Sequence, residues 1–170
     1  VAKEERVPEV RLERKLQVPA DSASQALGEL LQAIERQEGP WRGFALHVGF
    51  GDLHLPDVGY VAVPIRLTVE KDAKEARAFD IRFNAANLPA VFPGFTGTMR
   101  VEPGELGQCE LYLSGEYELP MQFFGKLLDG ALMPNVAAVS LENFIDEIAA
   151  ACQARVDQRE AEFVRYHFSR

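Results

Sequence analysis

The sequence predicts an α+β protein in which a curved antiparallel sheet of six or seven strands wraps around one long C-terminal helix. Two observations carry that expectation. Between Val10 and Leu119 apolar residues repeatedly occupy every second position, with charged and hydroxyl side chains between them. This is how strands with one covered and one wet face read. After Pro120 the period becomes helical, and Ala137, Leu141, Phe144, Ile145, Ile148, Cys152 and Val156 trace one stripe while Glu142, Asp146, Glu147, Gln153 and Arg155 fill the other face.

Residues 1–9 are charged and unpatterned and read as a disordered or extended tail. From Val10 to Val18 the apolar residues Val10, Leu12, Leu16 and Val18 alternate with Arg11, Glu13 and Lys15, which predicts a half-buried strand. Arg14 alone breaks the alternation. Ser22 with Gln25 three residues on is a capping-box signal, so a helix is expected from about Ser22 to Gln37, ending at Gly39-Pro40. Further strands are expected around Phe44 to Phe50, Val61 to Val69, Phe79 to Phe83, Met99 to Val101 and Cys109 to Leu119. Gly49 and Gly51 suggest a bend, and Pro64 points to a strand at or next to a sheet edge. The segment between Asn84 and Phe95 reads as an unusually apolar loop. Beyond Pro120, Phe123, Phe124, Leu127, Leu128 and Leu132 suggest a short helix, and Pro134 opens the long one, expected to reach Val156. Residues 10–156 therefore form a single domain, with residues 157–170 as a C-terminal extension.

The chain has 170 residues and is 47% hydrophobic, enough for one real core. Its 18 basic against 26 acidic residues give a net charge of -8, which opposes any extended grip on a phosphate backbone, so nucleic acid is not an expected partner. Cys109 and Cys152 fall on apolar faces, and a chain of this size needs no disulfide, so a reduced, cytoplasmic setting is expected. No apolar run approaches the roughly 20 residues of a membrane span.

A helix from Pro134 to Val156 would be roughly 34 Å long, close to the roughly 30 Å width of six strands, but about 10 Å thick, too thin to fill a strongly bent sheet. The inward positions offer large side chains: Phe79, Phe83, Met99, Leu111, Leu113 and Tyr117 from the sheet side, and Phe124, Phe144 and Ile148 from the helix side. Either they close the space or they line a ligand-binding pocket.

The wording of several segments resembles a known superfamily. Phe95-Thr96-Gly97-Thr98-Met99-Arg100-Val101-Glu102-Pro103, then Leu111-Tyr112-Leu113-Ser114-Gly115-Glu116-Tyr117-Glu118-Leu119-Pro120, then Phe124-Gly125-Lys126-Leu127-Leu128-Asp129 are similar to the SRPBCC superfamily of START-like, polyketide cyclase-like helix-grip proteins. Leu12-Glu13-Arg14 followed by Val18-Pro19-Ala20 resembles that family's opening, and the likeness runs over most of residues 10–153. It implies a β-α-α-β(6)-α layout and a deep apolar cavity between sheet and long helix. It also implies members that bind lipids, polyketides or plant hormones, and others that act as cyclases. No catalytic signature is shared across the superfamily, so the resemblance assigns no catalytic residue.

The function expected from these readings is binding of a small apolar or amphipathic ligand, lipid-, polyketide- or isoprenoid-like, without cofactor or metal. A polyketide cyclase or aromatase, and an interaction module with a filled cavity, are the alternatives. Tyr117 points inward and could orient a ligand carbonyl or donate a proton, or it is a core tyrosine bonded to backbone or water. Leu88, Val91, Phe92 and Phe95 read as a lid over a pocket, as core, or as a contact surface. Asp52 and His54 share a strand face but make no metal site by themselves, and Trp41 reads as satellite packing. Phe163, Val164, Tyr166 and Phe168 in the extension are expected to dock on this domain or, as a homodimer, on a second copy.

Overall fold

The computed structural model describes residues 9–49, 59–87, 94–118 and 132–168. Strand β1 (Glu9–Leu16) is followed by helix α1 (Ala20–Glu35), a 3-10 turn at Gly39–Trp41, strands β2 (Ala45–Gly49), β3 (Tyr60–Lys71), β4 (Ala78–Ala85), β5 (Gly94–Pro103) and β6 (Cys109–Glu118), and helix α2 (Leu132–Phe168). The six strands form one sheet in the order β1-β6-β5-β4-β3-β2, antiparallel throughout. Leu12 faces Leu113, Met99 faces Leu113 and Phe79 faces Met99, so the apolar parity runs unbroken across four strands. Pro64 lies on β3, one strand in from the edge, opposite Ala45. Of the layout implied by the resemblance, the described residues show six of the seven strands, one before α1 and five after it, and a 3-10 turn where the second helix was implied.

The sheet must curl, and two polar clamps on α2 show why. The edge strand β1 sends Arg14 to Glu142 and Asp146, while the opposite edge strand β2 holds Glu147 through His47 at 3.1 Å and accepts a 2.6 Å bond from Asn143 at the His47 carbonyl. Flat, the two edges would stand roughly 24 Å apart, yet they meet the same turns of a helix about 10 Å across. The irregular Arg14 is thereby explained. It occupies an inward position at the sheet edge, and its guanidinium reaches past the rim to two carboxylates on α2, which hold its pKa above the usual arginine value.

Helix α1 begins two residues before the capping-box position. Pro19 is the N-cap in an extended conformation, Ala23 donates to its carbonyl at 3.0 Å, and Ser22 and Gln25 lie inside the helix. A proline has no N–H to satisfy and a fixed φ, so it opens a helix without a side-chain cap. The helix ends when Gln37 takes a left-handed φ of 54° and Glu38 donates back to Ala33 at 2.9 Å, a glycine-free version of the usual C-terminal turn.

Leu27, Leu30, Leu31 and Ile34 of α1 join Leu141, Phe144, Ile145, Ile148 and Cys152 of α2 over the inner face of the sheet. The two helices are tied by Glu29, which accepts from Arg155 at 3.0 Å and from Arg159. The Arg159 guanidinium, foremost, lowers the pKa of this carboxyl. A carboxyl whose folded pKa lies below its unfolded one stabilises the fold at neutral pH and ceases to as pH falls through the carboxylate range. Glu29→Gln is therefore expected to lower the melting temperature at pH 7. The size should be about 1–4 °C, given the roughly 0.2–1 kcal/mol of surface ion pairs. The gap from wild type should close by about pH 3. A difference that persists there would mean the pair is not what Glu29 contributes.

Helix α2 does not stop at Val156. It continues unbroken to Phe168, 37 residues in all. Phe163, Val164, Tyr166 and Phe168 are exposed on its end, so docking onto this domain, one of the two outcomes expected, does not occur.

Candidate functional site

A cluster of aromatic rings covers the inner face of the sheet beside α2. Phe83 stacks on Phe95 with ring centroids 5.3 Å apart, and Phe144 of α2 leans on Phe83 at 5.3 Å and on Phe44 at 6.1 Å. Trp41 packs behind Phe44 at 5.8 Å.

Phe95 is a strand residue rather than part of a lid. It lies on β5 opposite Tyr117, buried with its side chain on the inner face, and the supposed loop is shorter because Ala85 still belongs to β4 and Gly94 already to β5. Leu88, Val91 and Phe92 lie outside the described residues. The reason for Phe95's position is a pair of glycines. Gly97 and Gly115 face each other across β5 and β6 on the inner side. A Cβ on Gly97 would sit 2.2 Å from the Ser114 carbonyl oxygen and 2.7 Å from Cζ of Phe95; one on Gly115 would sit 2.4 Å from the Thr96 oxygen and 2.8 Å from the same ring atom. The strands approach too closely for side chains, and the ring of Phe95 occupies the bare patch.

Phe83, Gly94, Phe95, Tyr117, Ala137, Ser140 and Leu141 surround a void of about 10 Å³. That is at or below the roughly 10–15 Å³ a single water needs. Met99, Leu111, Leu113, Phe144 and Ile148 are fully buried in the adjoining core. The nine residues expected to line one cavity are thus divided. Phe79 is a correction: it lies at the other end of the sheet beneath α1, where a Cβ on Gly28 would come 3.0 Å from its ring. Phe124 lies outside the described residues, as do Asp52 and His54. The helix side of the void is made instead by Ala137, Ser140 and Leu141. Ala137 and Leu141 were legible as the stripe, but Ser140 was not, because a serine beside an apolar stripe reads as its wet edge.

Two polar groups face this end. Tyr117 is 7% exposed, and burial raises the pKa of its phenol, which keeps it a neutral donor. Ser140 donates to the Val136 carbonyl at 2.5 Å, the usual back-bond of a helical serine. The arrangement can place an apolar surface and one or two hydroxyls against a ligand. Cys109 and Cys152 are free and buried, and burial foremost pushes the Cys152 thiol up to about 12, leaving it without thiolate reactivity near neutral pH.

A curled antiparallel sheet gripping one long helix defines a helix-grip α+β fold. Solved structures share this fold. The aromatase/cyclase Zhui from Streptomyces sp. R1128 is 15% identical, with 96% of this chain and 98% of that one covered at a TM-score of 0.58. TTHA0849 from Thermus thermophilus is 22% identical over 89% and 99% of the two chains at 0.50, and Ara h 8.0201 is 12% identical over 89% and 99% at 0.51. No protein-family model matches the sequence, and no curated protein matches it. No described helix is long and apolar enough to cross a membrane.

Proposed function

We propose that the protein binds a small apolar or amphipathic molecule, lipid-, polyketide- or isoprenoid-like, between the sheet and α2, at the end of the interior framed by Phe83, Phe95, Tyr117 and Leu141. One observation supports this above the others: the inner wall over Gly97 and Gly115 carries no side chains of its own and is filled by a single ring, that of Phe95. Turning that ring about its χ1 would exchange a filled patch for an apolar recess walled by Phe83 and Phe144, with Tyr117 at its margin. A ligand whose binding energy exceeds the cost of turning the ring selects the open form. The same reading assigns the protein to the cytoplasm, in keeping with two free, buried thiols. A cyclase or aromatase reaction would need at least two polar groups on the wall, and of the two described, Ser140 is already engaged with Val136.

A second reading is favoured by the 10 Å³ void: the interior is closed and the protein works through its surface. Titration with an anilinonaphthalene sulfonate probe separates the two. Wild type is expected to bind saturably, Phe95→Ala at least several-fold more tightly because the recess then stands open, and Tyr117→Phe to change which of a panel of probes binds while leaving the melting temperature within a few degrees. Native near-UV circular dichroism distinguishes a pocket from a loosened core. No saturable binding by either wild type or Phe95→Ala, with both natively folded, would falsify pocket binding and leave the surface reading.

A further inference from the structure

We infer that the overhanging end of α2 is a homotypic contact, through which two copies of this chain pair with the ends of their α2 helices antiparallel. The core stripe of α2 continues past the domain: Cys152 and Val156 are buried, Arg159 is held by Glu29 of α1, and Phe163 and Tyr166 follow in the same phase at steps of four and three. Beyond Arg159 they lie mostly in water, with the His167 ring packed on Phe163 at 4.0 Å. Phe163 is 61% exposed, Val164 52%, Tyr166 72% and Phe168 80%. Phe163 and Val164 also form one wall of an open groove of about 480 Å³, whose other lining residues are Ser22 and Gln25 of α1 and Val156, Arg159 and Glu160 of α2. An apolar helix end lies beside an open groove, an arrangement that a self-complementary two-fold interface can use.

Charge and area select a second copy as the occupant. The first turns of the overhang carry Asp157, Glu160 and Glu162, and its last turn carries Arg165 and His167. Antiparallel pairing lays each acidic turn beside the partner's basic turn, whereas parallel pairing sets like charges together. At roughly 200 Å² per aromatic side chain, the exposed fractions of the three rings together bring roughly 400 Å² from each copy. Two copies with their flanking turns then reach the roughly 1,000 Å² of a specific interface.

Sedimentation velocity across a micromolar concentration series tests the pairing. Wild type is expected to dimerise, and Phe163→Glu with Tyr166→Glu to raise the dimer Kd at least tenfold with unchanged far-UV circular dichroism, since both side chains are already in water in the single copy. Reversing the acidic turn alone (Asp157→Lys with Glu160→Lys) should also weaken the dimer, and reversing the basic turn as well (Arg165→Glu with His167→Glu) should restore it. A monomeric wild type overturns the proposal. So does a dimer indifferent to the aromatic substitutions, or one that the second reversal does not restore. A monomer that co-sediments with phosphatidylcholine and phosphatidylglycerol vesicles would assign the aromatic end to a lipid surface instead.

Discussion

Gly97→Ala and Gly115→Ala are each expected to destabilise the protein by at least about 3 kcal/mol, at or beyond the upper end of ordinary overpacking. The added methyl would stand 2.2 Å from the Ser114 oxygen in the first case and 2.4 Å from the Thr96 oxygen in the second, and both obstacles are backbone on the neighbouring strand. A side chain can rotate out of the way of a new methyl, but a ladder carbonyl cannot move without breaking the pairing of β5 with β6. The melting temperature should fall by roughly 6 °C or more, and shortening Phe95 in the same molecule should not recover it, because the ring is the softer of the two obstacles. A loss of under about 0.5 kcal/mol would mean that β5 and β6 are not in the close register that curls the sheet.

The same pair shows where sequence reading reaches its limit. Alternation located every described strand, because a sheet with one wet face stamps its period on the chain, and the long stripe from Ala137 to Val156 located α2 for the same reason. Gly97 interrupts that alternation, so alternation alone starts β5 at Met99 and leaves Phe95 in an apolar loop. A glycine carries no hydropathy from which to tell an inward position from a gap. Pro19 outranked the Ser22 cap because a helix start is set by backbone freedom as well as by side-chain acceptors. The separation of Phe79 from Phe83 was also hidden: parity gives the face of a sheet, but which helix covers each end of that face depends on how the sheet curls. Beyond Val156 only Phe163 and Tyr166 keep the phase of the stripe while Val164 and Phe168 fall off it, so the overhang is weakly marked as helical.

The second large effect is expected at Phe144. Its ring is fully buried, set between Phe83 on β4 and Phe44 ahead of β2, and so joins α2 to both halves of the sheet. Phe144→Ala should cost roughly 3–5 kcal/mol, the lost burial of the ring together with a cavity that its neighbours cannot close. They cannot close it because each is held by a further ring, Phe83 stacked on Phe95 and Phe44 packed on Trp41. The cavity left behind would be lined by aromatic carbon and should stay dry, as apolar cavities of that size do. Benzene is therefore expected to raise the melting temperature of Phe144→Ala by more than that of wild type, by mass action on the folded state alone. Loss of less than about 1 kcal/mol, or an equal benzene-induced rise in both proteins, would show instead that slack already exists around the ring.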